Sequence, residues 1–176
     1  MDKARAVVHV TQGTYAVDDL ALTLPTIRAL EREDVLVVAT TPNADSLGGL
    51  PANVRLEKTI PHSLLLPHVD VMVSNGGYNG VKTALAFGVP VVAGGDSEDK
   101  PEVSARLAYT GAGIDLRTGR PSQEQVLNAV RRVLATPSYG AKARGIQAEF
   151  SRHDSAREAL ALLARLIESG TTVPRP

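Results

Sequence analysis

The sequence predicts a doubly wound α/β fold, in which a six-stranded parallel sheet carries helices on both faces. Along the first two thirds of the chain, short runs of β-branched residues alternate with helical patterns. Several of these runs are apolar almost throughout, as expected for parallel strands that are covered on both faces. The length of 176 residues suits one domain with a sizeable core. Strand and helix alternation of this kind implies right-handed crossovers.

Six strands are expected, at Ala6–Val10, Val35–Ala39, Val54–Glu57, Val71–Ser74, Pro90–Ala93 and Gly113–Leu116. Between them we expect helices at Leu20–Arg32, Gly80–Phe87 and Pro101–Tyr109, with a short turn at His62–Leu66. Pro25 leaves the start of the first helix open, because proline disrupts a helix interior but is tolerated in the first turn.

Extra helices are expected after the sixth strand, where the pattern becomes purely helical. Ser122 and Gln125 form a capping box before a helix with an apolar side. That side comprises Val126, Ala129, Val130, Val133 and Leu134. A further helix is expected at Ala141–Phe150, and Ser155 with Glu158 repeats the capping signal before another amphipathic helix. The apolar side of this last helix comprises Ala159, Leu160, Leu163, Leu166 and Ile167.

Composition excludes several classes of function. With 19 basic and 19 acidic side chains, the chain has no net charge to attract nucleic acid. Without cysteine it has no disulfide, thiol nucleophile or thiolate-bound zinc. Its apolar runs are strand-length, so no membrane span is expected, and the absence of a signal peptide predicts a cytoplasmic protein. The 14 Arg against 5 Lys, with abundant Ala and Gly, favour a bacterial source.

Two loops are expected to form a ligand site. In a sheet of order 3-2-1-4-5-6, ligands bind beyond the carboxyl ends of strands one and four, where strand order reverses. The loops at those ends, 11–14 and 75–80, are rich in glycine and side-chain hydroxyl or amide groups. Glycines followed by a helix N-terminus can cradle a phosphate, because backbone N–H groups approach closely and the helix dipole favours an anion.

Plainer interpretations stand beside this one. Gly76 and Gly77 could merely turn the chain, and the loop at 94–101 could be an ordinary helix start. An NAD site is a further interpretation, because Asp96 follows the glycines by about twenty residues. That fingerprint belongs to the first βα turn, however, whereas these glycines follow the fourth strand. No histidine spacing indicates a metal site.

Six motifs in series resemble the C-terminal, donor-binding half of family 1 glycosyltransferases of the GT-B fold, particularly bacterial macrolide and natural-product enzymes. The motifs are Val10–Thr14, Ile60–His62, Ser74–Gly77, Gly88–Val92, Asp99–Pro101 and Gly111–Gly113. The resemblance covers residues 6 to 168, and the six motifs occur in the family's order and spacing. It implies a Rossmann-like donor domain at 1–170 and a tail at 171–176.

The resemblance also implies site residues. Donor diphosphate contacts would come from Gly13, Thr14, Asn75, Gly76, Gly77, Asn79 and Gly80. Base and ribose contacts would come from Ile60, Pro61, His62 and Thr83, and sugar contacts from Asp99 and Lys100. The chain departs from the family pattern at several of these positions. Asn75 replaces a phosphate-binding His, Asn79 and Gly80 replace Gly and Thr, Thr83 stands where many members have Glu, and Lys100 replaces Gln.

The implied function is donor binding in an inverting glycosyltransferase. Such an enzyme transfers a hexose from a UDP- or TDP-sugar to a hydroxyl of a small lipophilic natural product, with no cofactor and no metal. The family's catalytic base lies in an N-terminal acceptor domain that is absent here, so no catalytic residue is expected in this chain and the chain alone is expected to be inactive. Two alternatives stay open: a stand-alone donor subunit that pairs with a separate acceptor subunit, and a degenerate nucleotide-binding module without activity.

Overall fold

The computed structural model describes residues 5–13, 18 and 20–169, and within them six parallel strands form one sheet. The strands are β1 (Ala6–Thr11), β2 (Val35–Thr40), β3 (Val54–Glu57), β4 (Val71–Ser74), β5 (Val91–Ala93) and β6 (Gly113–Asp115). Their order is β3-β2-β1-β4-β5-β6, and every neighbouring pair is parallel. The predicted fold class and the six predicted strands are confirmed. The point at which strand order reverses lies between β1 and β4.

Seven α-helices lie within the described residues. They are α1 (Thr23–Leu30), α2 (His62–Leu65), α3 (Tyr78–Ala86), α4 (Lys100–Thr110), α5 (Gln123–Ala135), α6 (Pro137–Phe150) and α7 (Ser155–Ser169). Helix α3 begins two residues earlier than predicted, and α6 begins four residues earlier, with Pro137 in its first turn. Proline is favourable there because the first-turn N–H groups have no partner within the helix.

The alternation of side chains along the strands divides the core into two layers. On one face, Val71 and Val73 of β4 pack in a cluster with residues of α1 and α5. On the other face, Met72 packs in a second cluster with residues of α3, α4 and α6. Because successive side chains of a strand point to opposite faces, apolar runs such as 71–73 bury both sides of the sheet. Helices therefore cover both faces, as the sequence predicted.

The start of α1 corrects one prediction, since the helix runs from Thr23 rather than from Leu20. The side-chain oxygen of Gln12, Oε1, accepts hydrogen bonds from the backbone N–H groups of Leu22 at 2.8 Å and Thr23 at 2.7 Å. These bonds satisfy N–H groups that a helix N-terminus leaves unpaired. Pro25 then falls in the first turn, where its missing N–H costs nothing.

The start of α7 corrects another prediction, because Ser155 does not cap this helix. The Asp154 carboxylate accepts a hydrogen bond from the N–H of Arg157 at 3.1 Å, and its backbone carbonyl accepts from Glu158. Glu158 instead contacts Nδ1 of His153 at 2.9 Å. The predicted capping box at Ser122 and Gln125, by contrast, is present with both of its hydrogen bonds.

The helix α7 has a row of exposed apolar side chains. Its exposed residues are Leu160, Leu162, Leu163, Leu166 and Ile167. The other C-terminal helices differ, because α5 buries four residues and α6 buries Ala143. Over the described ranges, none of the helices has the length and apolar character needed to cross a lipid bilayer.

Candidate donor-binding site

The loops that follow β1 and β4 meet at the point where strand order reverses. The side-chain nitrogen of Asn75, Nδ2, donates a hydrogen bond to the backbone carbonyl of Gln12. The side-chain oxygen of the same residue accepts from the N–H of Gly77 at 3.2 Å. Asn75 therefore joins the two predicted phosphate loops and also shapes the turn that precedes α3.

Gly76 occupies a position that requires glycine for two reasons. Its φ of 77° lies in the left-handed region, which costs other residues conformational energy. A Cβ added there would also lie 2.5 Å from Oγ of Ser104, a buried residue of α4. Gly13, on the facing loop, has a φ of 84°, and a Cβ would lie 3.4 Å from Nδ2 of Asn75. Gly76 is thus packed closely against α4, and Gly13 against the side chain of Asn75.

The N-terminus of α3 opens into this crevice. Gly77 is the N-cap residue and no side chain caps the helix, so the first-turn N–H groups of Tyr78, Asn79 and Gly80 have no side-chain partner. Unpaired N–H groups and the positive end of the helix dipole make such a terminus a binding position for an anion. Gly80 lies close to the sheet, since a Cβ would lie 3.5 Å from both Met72 and Ser74.

The predicted base-binding segment lies at the start of α2. Pro61 is the N-cap, and its carbonyl accepts from Leu64 and Leu65. The half-exposed Ile60 makes no backbone hydrogen bond within the described structure, so its N–H and C=O are both available to a ligand. The His62 ring packs edge to face against buried His9, with centroids 5.7 Å apart. Burial lowers the pKa of His62.

Thr83 is not joined to this segment. It lies on the second turn of α3, partly exposed, and no hydrogen bond of its hydroxyl to residues 60–62 occurs in the described structure. The structure therefore brings Ile60, Pro61 and His62 together and leaves Thr83 on a neighbouring helix. Its assignment to the ribose stays a prediction.

The predicted sugar-binding pair lies at the start of α4. The carboxylate of Asp99 is exposed and makes no hydrogen bond within the described residues, although Asp99 occupies the N-cap position. Lys100 differs, because its side chain is only 14% exposed. Its ammonium is paired with the Glu98 carboxylate and donates to Oγ of Ser97 at 3.3 Å. The stem of Lys100 packs over Gly95, where a Cβ would lie 2.8 Å from its Cδ.

Two further contacts connect the remaining loops at this edge. The Asp96 carboxylate accepts from the N–H of Gly119 at 2.9 Å, and Asp18 pairs with Arg120 at 2.5 Å. The Asp96 carboxylate is therefore already bonded to the loop after β6. The glycines that precede Asp96 follow β4 and not β1, so they do not lie in the first βα turn, to which an NAD fingerprint belongs. The loops after β1, β5 and β6 form one continuous rim.

The sequence placed Gln12 in a predicted ligand loop but gave no indication of its structural role. Gln12 is 4% exposed, and it holds α1 through Oε1 while its Nε2 donates to the Asp18 carbonyl at 2.8 Å. Its carbonyl is also the acceptor for Asn75. A lone glutamine in a loop carries no pattern, and only its position directly after an apolar strand could have drawn attention to it.

Thr14 lies outside the described residues, as does the predicted tail at 171–176. Within the described residues, no group of three His, Asp or Glu side chains is arranged to hold a metal ion.

Comparison with known proteins agrees with this fold. A family model described as "Erythromycin biosynthesis protein CIII-like, C-terminal domain" matches residues 21–166. The chain is 50% identical over 167 residues to 4'-demethylrebeccamycin synthase of Lentzea aerocolonigenes, covering 95% of this chain and 40% of that protein. It is 41% identical to UDP-glucosyltransferase A1 of Starmerella bombicola, covering 86% of this chain and 34% of that protein. The chain thus spans about two fifths or less of the length of these relatives.

Solved structures show the same architecture. The structure of glycosyltransferase VinC in complex with DTDP matches with a TM-score of 0.81 at 29% identity, over 96% of this chain and 43% of that chain. The glycosyltransferase SnogD from Streptomyces nogalater matches with a TM-score of 0.71 at 30% identity, over 92% of this chain and 42% of that chain.

The sheet order, the crevice between β1 and β4 and these matches define a C-terminal domain of the GT-B glycosyltransferase class. Within that class, the chain belongs to the family of erythromycin biosynthesis protein CIII-like C-terminal domains, whose relatives include natural-product glycosyltransferases.

Proposed function

We propose that this chain binds the nucleotide-sugar donor of an inverting glycosyltransferase, with UDP- or TDP-hexose as the donor and a hydroxyl of a small lipophilic natural product as the acceptor. The observation that carries the proposal is the uncapped N-terminus of α3, which faces the loop after β1 across the Asn75–Gln12 hydrogen bond. A diphosphate placed there would receive the first-turn N–H groups of α3 and approach the backbone of Gly13. We propose Asn75, Gly76, Gly77, Asn79 and Gly80, with Gly13 and Thr14, as its binding residues.

The nucleoside would lie against the start of α2. A uracil or thymine base presents an imide edge with one donor N–H flanked by carbonyl acceptors. The free C=O of Ile60 can accept from the imide N–H, and the free N–H of Ile60 can donate to a neighbouring carbonyl of the base. His62 and Pro61 would flank the nucleoside, and Thr83 would reach the ribose. No aromatic stacking partner is required by this arrangement.

The transferred sugar would lie beside the start of α4. Asp99 offers an exposed carboxylate that accepts from sugar hydroxyls. Lys100 and Glu98 together offer a donor and an acceptor with little net charge, because they form an ion pair. This pair would serve the hydroxyls that an uncharged glutamine binds in the family pattern. A neutral hexose fits these groups better than a charged sugar.

The chemistry would be a direct displacement at the anomeric carbon. A base outside this chain removes the acceptor proton, the acceptor oxygen attacks, and the bond to the diphosphate oxygen breaks with inversion. This domain would stabilise the negative charge that develops on the departing diphosphate through oriented N–H groups. An N-terminal acceptor domain, or a separate acceptor subunit, would supply the base. The exposed apolar face of α7 supports a protein partner of this kind.

Calorimetric titration with UDP, TDP and NAD tests the proposal. We expect saturable binding of UDP or TDP at up to millimolar ligand, and no binding of NAD. A preference for NAD would refute the donor-site assignment. Binding of UDP or TDP that is unaffected by Asn75→Ala would refute the location of the site. Absence of any nucleotide binding would favour the degenerate module, for which the substitutions in the phosphate loop are the motivation.

A further inference from the structure

His9 is a buried histidine that the donor site as described does not use. It lies in the middle of β1 with an exposed fraction of zero, between β2 and β4. Its Nδ1 lies 2.9 Å from the backbone carbonyl oxygen of Val38. A carbonyl oxygen can only accept, so Nδ1 carries the proton and donates. Burial lowers the pKa of His9 to about 4, and the ring is therefore neutral near pH 7.

The second ring nitrogen of His9 is a buried acceptor without a partner. In the neutral ring with a proton on Nδ1, Nε2 carries a lone pair, and no hydrogen bond reaches it. Buried acceptors of this kind are rare in folded proteins, because leaving them unpaired is costly. The ring of His62 packs against His9 with an angle of 75° between the ring planes. With the ring centroids 5.7 Å apart, a rotation of the partly exposed His62 ring together with a shift of about half an ångström would bring one of its N–H groups to a hydrogen-bond distance of roughly 3 Å from Nε2.

We propose that His9 is a positioning residue, whose Nε2 accepts a hydrogen bond from His62 and so fixes the tautomer that His62 presents to the ligand. Once one nitrogen of His62 donates inward, the other is left as an acceptor at the site edge. His62 then selects a donor group of the nucleoside, either the imide N–H of the base or a ribose hydroxyl. It disfavours a nucleoside that presents an acceptor at that place. The ligand in this inference rests on the proposed function, whereas the contact between the two histidines does not.

Ring nitrogen NMR tests the contact without any ligand. On the ¹⁵N-labelled chain we expect His62 to show one protonated and one unprotonated nitrogen, as a single tautomer, at pH 7.5. In His9→Phe, which removes the acceptor, we expect the two His62 nitrogens to move toward averaged shifts. His9→Gln can place a side-chain oxygen near the position of Nε2, and we expect it to restore the single tautomer. The control is His153→Phe, at an exposed position before α7, which should leave His62 unchanged.

Nucleotide titration tests the consequence. We expect His9→Phe to weaken UDP binding about 5- to 10-fold, and His62→Ala to weaken it by the same factor. The variant that carries both substitutions should bind no more weakly than either single variant. Comparison of UDP with its N3-methyl and 2'-deoxy analogues identifies the donor group, since the relevant analogue should lose its dependence on His62. Averaged His62 nitrogens in the wild-type chain, or an unchanged His62 in His9→Phe, would overturn the proposal. If His62 responds to His9 but no nucleotide binds, the positioning holds and the proposed function fails. If His9→Phe does not fold, the His62 tautomer in the wild-type chain and in His9→Gln still tests the proposed contact.

Discussion

The Asn75 side chain joins the loops after β1 and β4, because its nitrogen donates to the Gln12 carbonyl while its oxygen accepts from Gly77. The two loops come from strands that are adjacent in the sheet, and Gln12 and Asn75 are 63 residues apart in the chain. One amide side chain therefore sets the spacing of the crevice in which the diphosphate is proposed to bind.

Replacing Asn75 with alanine removes both hydrogen bonds. Each bond contributes about 1 kcal/mol net, so we expect Asn75→Ala to lower the free energy of unfolding by about 2 kcal/mol. We also expect TDP or UDP affinity to fall about tenfold, because the loops lose their fixed spacing. Asn75→Asp should bind still more weakly, since a carboxylate would face the diphosphate. Urea unfolding and calorimetry measure the two effects.

Asn128 provides the matched control, because it is an exposed residue of α5 outside the site. Asn128→Ala and Asn128→Asp should leave nucleotide affinity unchanged. Equal affinity for Asn75→Ala and the wild-type chain would show that Asn75 does not organise the site.

Replacing Gly76 with alanine should destabilise the fold in two ways, through its left-handed backbone and through a steric contact. A comparison with Gly49 separates the two effects. Gly49 also has a positive φ, 69°, but a Cβ there meets nothing within 4 Å. Gly49→Ala should therefore cost only the left-handed conformation, about 1 kcal/mol. Gly76→Ala should cost about 3 kcal/mol, because its Cβ also meets Oγ of Ser104 at 2.5 Å. Thermal unfolding of the two variants gives the comparison, and equal destabilisation would contradict the tight packing of this loop on α4.

Ser104→Ala offers a test within the same pair. The Ser104 hydroxyl is buried without a hydrogen-bond partner, so its removal alone should cost little. Combined with Gly76→Ala, it should recover the steric part of the loss and leave the conformational part. A double variant as unstable as Gly76→Ala would place the strain elsewhere.

Gln12 should be one of the most sensitive loop positions for stability. Its buried side chain accepts from Leu22 and Thr23 and donates to Asp18. Gln12→Ala leaves these buried groups unpaired, and we expect a loss of about 3 kcal/mol. Gln12→Glu keeps the acceptor and should lose less. Gln123, exposed in the first turn of α5, supplies the control. A loss below about 1 kcal/mol for Gln12→Ala, measured by urea unfolding, would contradict the role assigned to it in starting α1.

Stability should fall with acid because of His9. Its folded-state pKa of about 4 lies below the ordinary histidine value of 6.5, so the unfolded chain binds the proton more readily. The resulting stabilisation is complete above about pH 6.5 and is lost as pH falls toward 4. From pH 7 to pH 5 we expect His9 to account for a decrease of about 2 kcal/mol in the free energy of unfolding.

The His9→Phe variant isolates this contribution. His62, with a lowered pKa, acts in the same direction and remains in the variant. His153 acts in the opposite direction, because Glu158 raises its pKa and the stabilisation is lost as pH rises. The carboxylate with a lowered pKa at Glu33 acts only in more acidic solution. Urea unfolding of both proteins from pH 5 to pH 7 should give a steeper pH dependence for the wild-type chain. Identical slopes would contradict a neutral, buried His9.

The sequence was sufficient for the parallel sheet, because apolar runs of strand length alternate with helical patterns, and the common order of such sheets matches the observed one. It also predicted the two loops that meet at the carboxyl ends of β1 and β4, since glycines follow both strands. It could not locate the start of α1, which depends on a hydrogen bond from Gln12 across the loop. Nor could it foresee that Lys100 is neutralised by Glu98, because that pairing depends on a left-handed backbone at Glu98 with a φ of 56°. Contacts between loops are made by single side chains, and single side chains leave no periodic pattern.

Backbone amide NMR during titration with TDP tests the central claim most directly. We expect the largest shift changes at the N–H groups of Gly76–Gly80 and Gly13, with smaller changes at Ile60 and His62. Gly77→Asp should abolish these changes, whereas Gly48→Asp, at an open loop position, should preserve them. Shift changes confined to other parts of the chain, or an unchanged response in Gly77→Asp, would contradict a diphosphate site at the N-terminus of α3.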